Sequence, residues 1–95
     1  MDEVVVVDAP ERGRWEARVG DTVAGVAVYR REGGVVEFVH TEVEPEFEGR
    51  GIGGALARTS LDAARRDGLR VVASCPFYAA WIGKHRDYRD LLADA

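Results

Sequence analysis

A single α+β domain is predicted by three observations. Four strand-like runs fill the first half of the chain, an amphipathic helical pattern follows a glycine-rich turn, and a fifth strand and a second helix complete the sequence. With 95 residues there is material for one core and none for a second, so residues 1–95 are read as one domain. The expected sheet is mixed and mostly antiparallel, with about five strands and helices packed on it.

Residues 4–7 are valines, whose branched Cβ favours extended backbone, and Asp8-Ala9-Pro10 ends the run with turn chemistry. From Arg14 onward, Trp15, Ala17 and Val19 alternate with Arg14, Glu16 and Arg18. Gly20-Asp21 then turns the chain into residues 22–29, which are apolar on both faces, so the pair reads as a hairpin with a central second strand. Glu32-Gly33-Gly34 makes the next turn, and residues 35–43 form a fourth strand that stops before Pro45. Ile52, Ala55, Leu56, Thr59 and Ala63 recur at helical spacing, with Gly68 as a C-terminal stop. Residues 69–74 read as the fifth strand. Pro76 suits a first helical position, and Trp81, His85, Tyr88 and Leu92 share one stripe of the last helix.

Between the fourth strand and the first helix lies Glu48-Gly49-Arg50-Gly51-Ile52-Gly53-Gly54, which reads as an anion cradle. Closely spaced glycines let backbone approach a ligand, and the free N–H groups opening the next helix attract negative charge. A triphosphate P-loop needs Lys and then Ser or Thr after its last glycine, whereas Gly54 is followed by Ala55-Leu56. Gly49, Gly51 and Gly54 formally satisfy a dinucleotide fingerprint. The chain, however, offers only one βαβ unit around it, and the next strand ends in Ser74-Cys75-Pro76 without an acidic residue. The third pattern is the pyrophosphate loop of acetyl-coenzyme A (acetyl-CoA): Gln or Arg, two residues, Gly, one residue, Gly or Ala. Gly51 and Gly53 fill its glycines.

The formal charge of −4 argues against a nucleic-acid partner, although Arg58, Arg65, Arg66 and Arg70 cluster locally. Phosphate contacts would therefore come from backbone amides and a local cation such as Arg50. The single cysteine, Cys75, excludes an internal disulfide and fits a reducing compartment. No basic start leads into an apolar segment and nothing is long enough to span a membrane, so a soluble cytoplasmic protein is expected. No metal site is expected.

Three blocks, His40-Thr41-Glu42-Val43 with Pro45, the glycine loop, and Cys75-Pro76 followed by Trp81, His85 and Tyr88, together resemble the GNAT N-acetyltransferase superfamily, specifically its compact subgroup. The resemblance spans residues 36–92. It implies a GNAT-like domain with splayed fourth and fifth strands, and acetyl-CoA as acetyl donor. The pyrophosphate would lie on Gly49, Arg50, Gly51, Ile52, Gly53 and Gly54, the pantetheine along strand four, and the N–H of Val43 would face the thioester carbonyl. Two positions depart from the pattern. Glu48 stands where Gln or Arg is usual, and Ile82 occupies about the place where many larger members carry a tyrosine that protonates the leaving thiolate. Tyr78 does not match that tyrosine's spacing.

Acetyl transfer to an amine needs a base, an oxyanion donor and a proton for the thiolate. His40 is the near-neutral base of this region, and Glu42 shares its strand face. Cys75 is expected to face the thioester as a proton donor or as a nucleophile. Taken without the resemblance, a lone cysteine beside Val71 and Ala73 is more often a small buried hydrophobe, and a lone strand histidine is more often structural. His85, Trp81, Tyr88 and Leu92 read as packing, Arg65-Arg66-Asp67 as a solvated helix end, and Lys84 and Arg86 as a solvated pair. The expected function is N-acetylation of a small or peptide amine by direct attack, in a monomer or homodimer. The rival is a non-catalytic coenzyme A-binding module acting through a protein partner.

Overall fold

A computed structural model describes residues 3–94. Strands β1 (Val4–Ala9), β2 (Arg14–Val19), β3 (Thr22–Glu32), β4 (Val35–Val43) and β5 (Arg70–Ala73) form one sheet in chain order. The first four pair antiparallel, and β5 lies parallel to β4 after the crossover helix α1 (Ile52–Arg66), as a parallel neighbour requires. Helix α2 (Pro76–Lys84) follows β5, and a 3₁₀ segment, Arg86–Leu91, comes after it. The predicted order of elements is present. β3 continues to Glu32, past the residue-29 end that its alternation predicts.

One face of the sheet packs on α1. The Trp15, Ala17 and Val19 side of β2 joins the core, together with Phe38, Leu56, Leu61, Val71 and Ile82. Phe38 stacks on Tyr78 with ring centroids 4.2 Å apart. Burying each such aliphatic or aromatic side chain contributes about 1.5–3 kcal/mol. α1 ends as Gly68 predicts: its φ is 71°, its N–H bonds the Arg65 carbonyl at 3.2 Å, and the Leu69 N–H bonds the Ala64 carbonyl at 2.9 Å.

Two local features set the site. Gly25 on β3 pairs with Val43 on β4, and a Cβ there would fall 2.8 Å from Ile52 Cγ2 and 3.0 Å from the Glu42 carbonyl oxygen. Only glycine lets the first turn of α1 sit this close to the sheet. On β4, Tyr29 pairs with Phe38 and Val28 with His40, so Val39 is a bulge. The bulge resets the alternation. Phe38 faces α1 before it, and Thr41 and Val43 face α1 after it, which turns His40 and Glu42 to the opposite, uncovered face.

The last helix is shorter than its stripe predicts. Spacing of 81, 85, 88 and 92 fits one helix, but the backbone breaks at His85 (φ −120°, ψ 81°). Tethers to α1 and β5 draw the chain aside there. The Tyr88 hydroxyl donates to Asp62 at 2.6 Å, and Arg65 bonds Asp90 and the Asp87 carbonyl. Arg65 is therefore a clamp and not the solvated helix end expected. Arg70 donates to the carbonyls of Asp90 and Leu92, and the Ala93 N–H bonds Val71 on the edge of β5. The stripe residues still meet: His85 stacks on Trp81 at 3.7 Å and Tyr88 packs edge-on at 5.2 Å.

On the uncovered face, the fully enclosed Glu16 carboxylate accepts from Arg18 at 2.7 Å, Arg14 at 2.9 Å and Arg12 at 3.2 Å. Hydrogen bonds from Arg18 and then Arg14 outweigh desolvation and hold its pKa down at about 2, against an ordinary 4.5. A folded-state pKa below the unfolded one stabilises the fold above the ordinary value and loses that contribution as pH falls toward 2. Glu16→Gln is therefore expected to flatten the rise of the melting temperature between pH 2 and 4.5, followed by circular dichroism. Gly25→Ala is expected to lower unfolding free energy by about 1–3 kcal/mol in urea melts, the usual scale for overpacking.

Candidate active site

The glycine loop joins the sheet to α1 in an open conformation. Gly49 and Gly51 have φ of 81° and 77°, the left-handed region that favours glycine, and no atom lies within 4 Å of where a Cβ would stand at either. Gly51 is the residue preceding α1, and no side chain caps the helix. The Glu48 N–H reaches the Pro45 carbonyl at 3.2 Å, and among the described residues the N–H groups of residues 49–54 donate to no protein acceptor. These uncommitted donors stand at the positive end of the α1 dipole. Arg50 adds a cation, its guanidinium lying 5.2 Å over the Phe47 ring, while the Glu48 side chain is exposed.

The remaining loop glycines serve packing. A Cβ on Gly53 would meet Phe77 Cζ at 2.7 Å, and one on Gly54 would touch Trp81 Nε1 at 3.7 Å. Phe77 is 39% exposed and covers the first turn of α1 from the start of α2. The sequence reading did not single it out. Its one signal was its place directly after Cys75-Pro76.

Next to the loop the sheet opens. β5 pairs with β4 only from Val35 to Phe38, and the last link is the Cys75 N–H on the Phe38 carbonyl at 2.9 Å. Beyond it β4 continues to Val43 without a β5 partner, so the two strands part as expected. Successive amides of a strand point to opposite edges. The Glu44 N–H donates to Ala24 on β3 at 2.8 Å, so the Val43 N–H is directed the other way, into the gap.

His40 and Cys75 lie at this gap but do not meet. Cys75 is 3% exposed, with Sγ 3.3 Å from the hydroxyl oxygen of Thr41. Thr41 faces α1, so His40, one residue earlier, faces away. His40 Nε2 is 3.5 Å from Glu42 Oε1, both side chains being about 60% exposed. The alternation that paired His40 with Glu42 holds, whereas the thiol is partnered by Thr41, which sequence reasoning passed over because threonine suits any strand. Tyr78 is occupied in the core. Its hydroxyl meets Ser60 at 2.8 Å, and burial pushes its pKa far up. Ile82 is core as well. A cavity of about 530 Å³ along the outer edge of β5, lined by residues such as Val72, Ala79 and Leu92, includes no residue of the glycine loop.

A family model described as GCN5-related N-acetyl-transferase matches residues 14–91. The chain belongs to this family. Acetyl transfer is thus the general chemistry to which this GCN5-related chain is related. Among solved structures, it is similar to the NMR solution structure of a GCN5-like protein from Staphylococcus aureus, at 22% identity, covering 97% of this chain and 90% of that one with a TM-score of 0.74. That likeness concerns the fold. No curated protein matches significantly. Among the described residues, no helix is long and apolar enough to cross a membrane.

Because Cys75 is enclosed behind Thr41, Ellman's reagent is expected to label the folded protein at least tenfold more slowly than the urea-unfolded chain. Thr41→Gly should narrow that difference, since it uncovers the sulfur.

Proposed function

We propose that this chain is an acetyl-CoA-dependent N-acetyltransferase acting on the amine of a small molecule or a peptide. One observation carries the reading: the uncommitted amides of residues 49–54 lie beside the unpaired edge of β4, and the contact among Gly25, Val43 and Ile52 joins the two. A diphosphate suits the loop, where backbone donors, a helix dipole and Arg50 meet with open space above Gly49 and Gly51. The pantetheine arm suits the gap, where β4 offers unpaired main-chain groups. Ile52, Gly53 and Gly54 contribute their amides, with Phe77 beside them.

The two faces of β4 suit two reactants. His40 accepts the proton of an amine approaching over the uncovered face, and Glu42 orients the imidazole. As the C–N bond forms, the Val43 N–H supports the carbonyl oxygen while it becomes anionic. When the C–S bond breaks, the thiolate takes a proton on the α1 side, where Cys75, partnered by the Thr41 hydroxyl, is a candidate donor. The separation of His40 from Cys75 favours this direct attack over an acetyl-cysteine relay, which would want the base on the thiol. An unpaired thiol suits a reducing compartment, here assigned to the cytoplasm.

Calorimetry with acetyl-CoA, followed by thiol release in the presence of amines, tests the reading. Wild type is expected to bind acetyl-CoA. Replacing Gly49 and Gly51 together with alanine should weaken that binding tenfold or more. His40→Ala should slow thiol release by about 10²-fold or more. Heat without turnover on any amine would make the chain a coenzyme A-binding module, and no heat would overturn the reading.

A further inference from the structure

Resting on the acetyltransferase reading, we infer that the acceptor is an acidic peptide, held by the Arg12, Arg14 and Arg18 cluster with its amine at His40. Glu16 gathers the three guanidiniums on the sheet face opposite α1, the face that also carries His40 and Glu42. One carboxylate cannot neutralise three arginines. The cluster keeps a surplus of two positive charges in a chain whose formal charge is −4. Glu16 is fully enclosed, while Arg12, Arg14 and Arg18 remain 59%, 31% and 46% exposed, so guanidinium N–H edges still face solvent. Glu16 thus fixes the arginines in place and leaves them able to bind a second anion.

The register gives the spacing. Arg14 pairs with Val28 and Val28 with His40, so Arg14 and His40 stand in one row across the sheet. Two strand spacings put their Cα atoms roughly 10 Å apart. That is the span of about three residues of extended chain. A peptide whose N-terminal amine sits at His40 and Glu42 would bring the side chain of its third or fourth residue to the arginines. Val26 and Val28, half-buried, form the floor between. The net negative charge of the protein argues against nucleic acid at the same patch.

Fluorescence anisotropy with labelled peptides, free and with coenzyme A, tests this independently of turnover. A peptide with a free N-terminus and Asp or Glu at positions three and four is expected to bind at least tenfold more tightly than its Lys-substituted counterpart at low salt. Arg12→Gln and Arg18→Gln should each remove most of that preference, Arg12→Lys should retain it, and the heat of acetyl-CoA binding should not change. Equal binding of acidic and basic peptides, or tighter binding of a single-stranded oligonucleotide, would overturn the inference while leaving the cofactor reading intact. Absent acetyl-CoA heat with the peptide preference preserved would remove the enzyme and keep the acidic-peptide surface.

Discussion

The approach of Ile52 to Gly25 is the contact on which the rest of the site depends. Gly25 touches three things at once: its register partner Val43, the carbonyl of Glu42 and the first residue of α1. Any side chain there would push the helix off the sheet and carry the glycine loop with it. The contact therefore sets both the height of the loop amides and their distance from the open edge of β4. Packing density, more than hydrogen bonding, fixes this geometry, since core positions adjacent to backbone have little room to relax.

The bulge at Val39 has the next largest effect. An uninterrupted β4 would place His40 on the side of Phe38, buried under α1 with the thiol. One extra residue reverses that, leaving Thr41 on Cys75 and His40 on the opposite face with Glu42. The strand thus becomes a partition with hydrophobic packing and the glycine loop on one side and a charged, solvated surface on the other. Bulges re-aim side chains in this way wherever they interrupt a ladder.

The parts of the fold carried by periodicity were legible in the sequence. The alternation of β2, the helical recurrence from Ile52 to Ala63 and the stop at Gly68 all rest on local chemistry. The glycine loop was legible as a donor-rich turn, but Gly53 and Gly54 were not distinguishable from Gly49 and Gly51. A glycine needed for φ and one needed to admit Phe77 look alike until the neighbouring helix is placed. The break at His85 was hidden for a similar reason, because spacing alone does not reveal that Tyr88 and Arg65 pull the chain onto α1. Glu16 read as one of three polar residues alternating along β2. One of its three partners, Arg12, belongs to a turn outside the strand pattern.

The strap formed by residues 92 and 93 closes off one border of the sheet. β5 is short and would otherwise present free carbonyls and amides to any passing strand. The Ala93 amide takes that place instead on the Val71 carbonyl, and the Arg70 guanidinium holds the strap by the Leu92 carbonyl. Another copy of this protein adding its own sheet to this one would find free strand edge at β1 and along the unpaired end of β4, and at β1, the far border from the reactive gap, such pairing would leave the gap accessible.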